Sequence, residues 1–160
     1  MAAFCFMPNH VHLLLTPLVE KGVTLFISKF ASGYQAYFKN RHEIKRKGYF
    51  FQDRFHSVHI KYDAQLRVVL MYIHLNPTSL IFPKWKEGGR IRSKEALDHC
   101  VNYKWSSLSD YLGKQNFPSV TDREFMSEFI GNEKQHRQEL SDWLKHRESL
   151  YNNNSDILID

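Results

Sequence analysis

The chain has little cysteine. Cys5 and Cys100 are the only two among 160 residues, and neither falls in a CxxC or similar pattern. That excludes a disulfide framework and a zinc ribbon, and a reducing compartment such as the cytoplasm is the simplest setting. Long apolar runs are lacking too. Nothing approaches the roughly 18 consecutive apolar residues of a membrane-spanning helix. The opening stretch, MAAFCFMPNH, has no basic n-region and its apolar run stops at Pro8, so it does not read as a signal peptide. No internal repeat is visible. These absences point to a soluble, intracellular protein.

The residues present are those of an ordinary globular domain, 42% hydrophobic and 24% charged, and the length suits one domain with an appendage. The formal net charge is +5 and the sequence pI about 9.2, with 12 Phe, 8 Tyr and 3 Trp. Basic and aromatic residues together suit a nucleic-acid partner, because cations meet phosphates and rings stack on bases. They concentrate in RHEIKRKGYFFQDRF, where Arg41, Lys45, Arg46, Lys47 and Arg54 sit beside Tyr49, Phe50, Phe51 and Phe55. A solvated loop leading into a core strand would have the same composition.

Residues 2–7 and 11–15 predict a hairpin that turns near Pro8-Asn9. From Thr24, a plausible N-cap, to about Arg41, aromatic and apolar residues recur at helical spacing. FHSVHI (55–60) is a short strand candidate. Asp63 predicts the cap of a helix reaching Leu75, closed by Pro77. Residues 77–102 read as irregular, and YKWSSLSDYLG as a loop entering a short helix. Residues 121–150 are amphipathic, with Phe125, Phe129, Leu140 and Trp143 as core candidates and a frayed tail beyond.

Two features carry chemistry. In MPNHVHLLL, His10 and His12 lie two apart on a strand and so share one face, where two imidazoles can converge on a metal ion or a phosphate. A pair of half-exposed histidines at a strand start is the plainer alternative. In YIHLNP, Leu66, Val69, Leu70 and Ile73 form the core-facing stripe of the helix, while Tyr72 and Asn76, four apart, share a flanking stripe. Two imidazole nitrogens and one amide oxygen would suit Mg²⁺ or Mn²⁺, and a phenol oxygen beside such an ion could attack phosphorus.

MPNHVHLLL, FFQDRF, YIHLNP and YKWSSLSDYLG, in that order, resemble the single-tyrosine transposases of the HUH endonuclease superfamily, and within it the bacterial REP-associated tyrosine transposases. The resemblance runs from about residue 2 to 113. It implies an α+β, ferredoxin-like fold, with an antiparallel sheet carrying the paired histidines and helices on one face. It implies a catalytic domain over 1–113 and a C-terminal helical extension and tail over 114–160. It also implies His10, His12 and Asn76 as metal ligands and Tyr72 as the nucleophile. That tyrosine would nick single-stranded or hairpin DNA through a 5′-phosphotyrosine, from which a 3′-OH takes the strand back. Family members carry a further strand and helix ahead of the element that opens this chain, so the resemblance implies N-terminal truncation. The edge of the first strand would then be open, inviting a homodimer. HLNPTSL departs from the family's basic, glycine-containing continuation.

A decayed or domesticated module that binds hairpin DNA without cutting it is the alternative function. A Zn²⁺ hydrolase in which water attacks would need a third strong ligand, for which His56, His59 and His74 are the candidates.

Overall fold

The computed structural model describes residues 1–45, 48 and 50–156. Its residues form two compact units, Met1–Leu14 with Lys61–Asp160, and Leu15–Ile60. The class is α+β. Strands β1 (Ala3–Phe6) and β2 (Val11–Leu14) pair antiparallel, and the α-helices among the described residues are α1 (Gly22–Arg41), α2 (Asp63–Leu75), α3 (Ser93–Asn102), α4 (Leu108–Tyr111), α5 (Arg123–Ile130) and α6 (Glu133–Asp156).

In the first unit the hairpin register sets Cys5 opposite His12 and Phe6 opposite Val11. The Met7 amide donates to the His10 carbonyl at 2.8 Å, which closes the turn around Pro8-Asn9. Helix α2 packs against both strands and buries Leu70 and Ile73, two residues of its expected apolar stripe, together with His74 and Leu75. Its core side continues into a cluster that includes Trp85, Ile91, Leu97, Val101 and Leu108. Leu140 and Leu144 of α6 close that cluster, so the C-terminal helices belong to the same core. Asn132 starts α6 with a reciprocal cap. The Gln135 amide donates to its side-chain oxygen at 3.0 Å, and its own amide donates to Gln135 Oε1 at 2.8 Å.

Several expectations need correction. The outer edge of β1 is not open. Phe6 donates its amide to the Trp105 carbonyl at 2.8 Å, Ser107 donates its own to Phe4 at 3.0 Å, and Phe4 donates to Ser107 Oγ at 3.0 Å. The Tyr103 and Tyr111 hydroxyls donate to the carbonyls of Phe6 and Ala2, at 2.8 and 2.6 Å. YKWSSLSDYLG is therefore a third, irregular strip along the sheet, and it takes up polar groups that a partner strand would otherwise have met.

Helix α2 starts one residue after its cap, so Asp63 sits in the first turn, and Gln65 Oε1 accepts the Lys61 amide at 3.0 Å. Asn76 does not leave helical geometry ahead of Pro77. With φ −56° and ψ −36° it continues into a 3₁₀ turn, Asn76–Leu80, in which the proline occupies the first turn and costs no hydrogen bond. The stretch after it is not irregular throughout, since a second 3₁₀ turn (Trp85–Glu87) and α3 lie within it. Among the core candidates of 121–150, Leu140 is buried while Phe125 is exposed, and Met126, Ile130 and Leu144 occupy the interior instead.

In the second unit, α1 starts at Gly22 and not at a Thr24 cap, and it buries no residue. Phe26, Phe30, Tyr34 and Phe38 run along it with neighbouring ring centroids 6.1–6.3 Å apart, and Phe50 and Phe51 lie against the row. Residues 55–60 form no strand. Their alternation finds no neighbouring strand to pair with among the described residues, and a lone strand has nothing to bond.

Candidate nucleophile and metal site

Strand β2 and helix α2 place the site. His10 stands just ahead of β2 and His12 within it, and their rings meet edge to face with centroids 4.8 Å apart. His10 Nδ1 donates to Asn9 Oδ1 at 2.7 Å, which leaves its Nε2 as the lone-pair nitrogen. The His12 ring in turn meets the Tyr72 ring edge to face at 5.4 Å. One helical turn on from Tyr72, Asn76 is almost fully enclosed, 1% exposed, whereas Tyr72 is 40% exposed.

The structure thus gathers His10, His12, Tyr72 and Asn76 at one place, and it adds a residue that sequence reasoning missed. The Lys86 ammonium donates to Tyr72 Oη at 2.9 Å and to Asn76 Oδ1 at 2.7 Å, and it lies 4.1 Å from the centroid of the tyrosine ring. Lysine is one of several basic residues in FPKWKEGGRIR, and a stretch without periodicity carries no signal that singles one of them out.

The electrostatics follow from this enclosure. Burial, then the neighbouring His10, then Lys86 push His12 down to about 4. Burial and Lys86 lower His10 as well. His12 is therefore neutral at physiological pH, the form in which imidazole ligates a metal. Its Nε2 is buried without a hydrogen-bond partner among the described residues, and so is Asn76 Nδ2. A buried polar nitrogen with no partner costs about 1–3 kcal/mol, and in the tautomer that leaves a lone pair on Nε2 the His12 ring could offer it to a cation. Two imidazoles and one amide oxygen fit a divalent cation by donor chemistry. No three His, Cys, Asp or Glu side chains converge on one point among the described residues.

His74, one candidate for the third ligand of a hydrolase, has both ring nitrogens engaged elsewhere. His74 is enclosed on the other flank of α2, where its Nδ1 meets His136 Nε2 and its Nε2 meets Ser107 Oγ, each at 3.0 Å. His56 and His59 are exposed in the second unit. Of the basic residues expected on DNA, Arg41, Lys45 and Arg54 are exposed in that unit, and Arg46 and Lys47 lie outside the described residues.

Residues 1–76 match the IS200-like transposase family. The matched segment ends on Asn76, so it spans both histidines, the tyrosine and the amide of the site. Lys86 lies beyond it. No curated protein and no solved structure matches the chain. No helix among the described residues is long and apolar enough to cross a membrane.

Proposed function

We propose that the protein is a transposase-type enzyme that nicks and rejoins single-stranded or hairpin DNA, with Tyr72 as its nucleophile. Similarity to IS200-like transposases over residues 1–76 supports DNA as the substrate class. The observation that carries the proposal is the half-exposed Tyr72, its hydroxyl on an ammonium and its ring against the His12 ring. His10, His12 and Asn76 would hold Mg²⁺ or Mn²⁺, which when bound polarises a phosphodiester.

The chemistry balances without an external energy source. Tyr72 Oη forms a bond to phosphorus and loses its proton, while the bond from phosphorus to the 3′ oxygen breaks and that oxygen leaves as a 3′-OH. The 5′-phosphotyrosine keeps the energy of the original diester, so a 3′-OH that attacks it restores a phosphodiester and frees the phenol. Lys86 stands beside the oxygen on which negative charge develops, where a fixed cation lowers the barrier.

Tyr72→Phe tests this. The variant keeps the ring and deletes the only proposed nucleophile, so on a denaturing gel with labelled hairpin DNA and Mn²⁺ both nicking and the covalent adduct should vanish. Hairpin binding should stay near wild type, because affinity comes from phosphate contacts and stacking. Nicking by the variant would mean that water, not the phenol, attacks. A wild type that binds the hairpin and never forms an adduct would identify the non-cutting module instead.

A further inference from the structure

The backbone that carries Lys86 is fixed in a tight turn. Trp85 beside it is buried, and the Lys84 carbonyl accepts the amides of both Glu87 and Gly89, at 3.0 and 2.9 Å. Gly88 has φ +80°, and a Cβ at Gly89 would come within 2.6–2.8 Å of Lys84, so the two glycines let the turn close this tightly. The turn therefore aims the Lys86 stem at α2. No carboxylate pairs with the ammonium among the described residues, and its polar contacts are the Tyr72 hydroxyl and the Asn76 amide oxygen.

An ammonium without a counter-ion on a nucleophile and a ligand oxygen at once is an arrangement in need of an explanation. A structural lysine would gain more from an acidic partner or from water. Asn76 Oδ1 has a second lone pair, but an ammonium and a divalent ion on one oxygen repel each other strongly in an enclosed site. The Asn76 side chain is enclosed and carries one oxygen, so it cannot swing that oxygen away from the ammonium. Lys86, half-buried on a flexible four-carbon stem, is the group that can yield.

We propose that Lys86 is a resident cation of the site: it holds Tyr72 Oη and Asn76 Oδ1 together in the metal-free protein, and it gives up Asn76 to a divalent cation while staying with the phenol oxygen. Lys86 is thus a positioning residue that couples metal loading to the placement of the nucleophile. The inference rests on Tyr72 and Asn76 having the roles proposed above, and its test separates the two.

Mn²⁺ binding to the DNA-free protein, followed by calorimetry, reads the exchange directly. Lys86→Met keeps the stem and removes the charge, so it should bind Mn²⁺ about tenfold more tightly than the wild type. Lys86→Arg keeps the charge and should bind no more tightly than wild type. His12→Ala should abolish binding in either background, which ties the signal to this site. With saturating Mn²⁺ and labelled hairpin DNA, Lys86→Met should form the covalent adduct at least about tenfold more slowly, and Lys86→Arg should recover most of the rate. Tighter metal binding together with a slower adduct supports the exchange. Equal or weaker Mn²⁺ affinity in Lys86→Met overturns it, and so does an adduct rate equal to the wild type's. If the wild type forms no adduct, the nucleophile assignment fails by itself, and the Mn²⁺ comparison still decides whether Lys86 and the metal compete.

Discussion

His74 and Tyr72 are two residues apart on α2 and have opposite fates. Tyr72 faces a polar site, whereas His74 is sealed into a chain that runs from Ser107 through His74 to His136. Burial, and for His74 also the neighbouring imidazole, lower both histidines, His136 to about 4 and His74 well below its ordinary value. The sign of the effect is fixed by linkage. Above about pH 6.5 the histidines are neutral in both folded and unfolded chains, and stability is full. As pH falls toward about 4, the unfolded chain takes up protons that the folded core refuses, so stability drops. For His136 alone the loss is roughly 3 kcal/mol over that window. Urea unfolding at pH 7, 6 and 5 should show it. In His136→Gln the slope between pH 6 and 5 should fall by up to about 1.4 kcal/mol per pH unit. An unchanged slope would mean that His136 is protonated in the native state.

At the scale of elements, the edge of β1 is the feature to probe. Tyr111 closes one end of that edge through a single hydroxyl in a buried setting. Tyr111→Phe strands the Ala2 carbonyl, which should cost about 1–3 kcal/mol in denaturant unfolding. Hydrogen exchange would localise the damage. The Phe4 and Phe6 amides, which point toward residues 105–107, should lose protection before those of α2 do. The hairpin and α2 were legible in the sequence because each rests on local signals: an alternating strand beside Pro-Asn, and a 3.6-residue apolar stripe ending at proline. The strip along β1 was not. It joins groups about a hundred residues apart, and no periodicity records that Ser107 will meet Phe4. FHSVHI shows the converse, a local alternation that becomes no strand without a neighbour.

For the whole molecule, charge is the property that reaches the partner. If the stretch from Arg41 to Arg54 tracks single-stranded DNA through four to five phosphates, log K against log salt should have a slope of about −3 to −3.5. Neutralising Lys45, Arg46 and Lys47 together should flatten it by about 2, and a slope that does not move would place the DNA elsewhere on the surface. Some properties of this protein follow from the order of its residues alone. The basic, aromatic composition, the shared face of His10 and His12, and the four-residue spacing of Tyr72 and Asn76 are set by residue identity and by the repeat of strand and helix. Others arose only when distant segments met. The hairpin had to lie on α2 before the His12 and Tyr72 rings could touch. The turn at Trp85 had to fold back before an ammonium stood on the phenol oxygen, and α6 had to close the core before His74 found His136. These contacts depend on packing between elements, which a single strand or helix pattern does not encode. Lys86, a lysine like its neighbours in the sequence, has its chemistry decided by that packing.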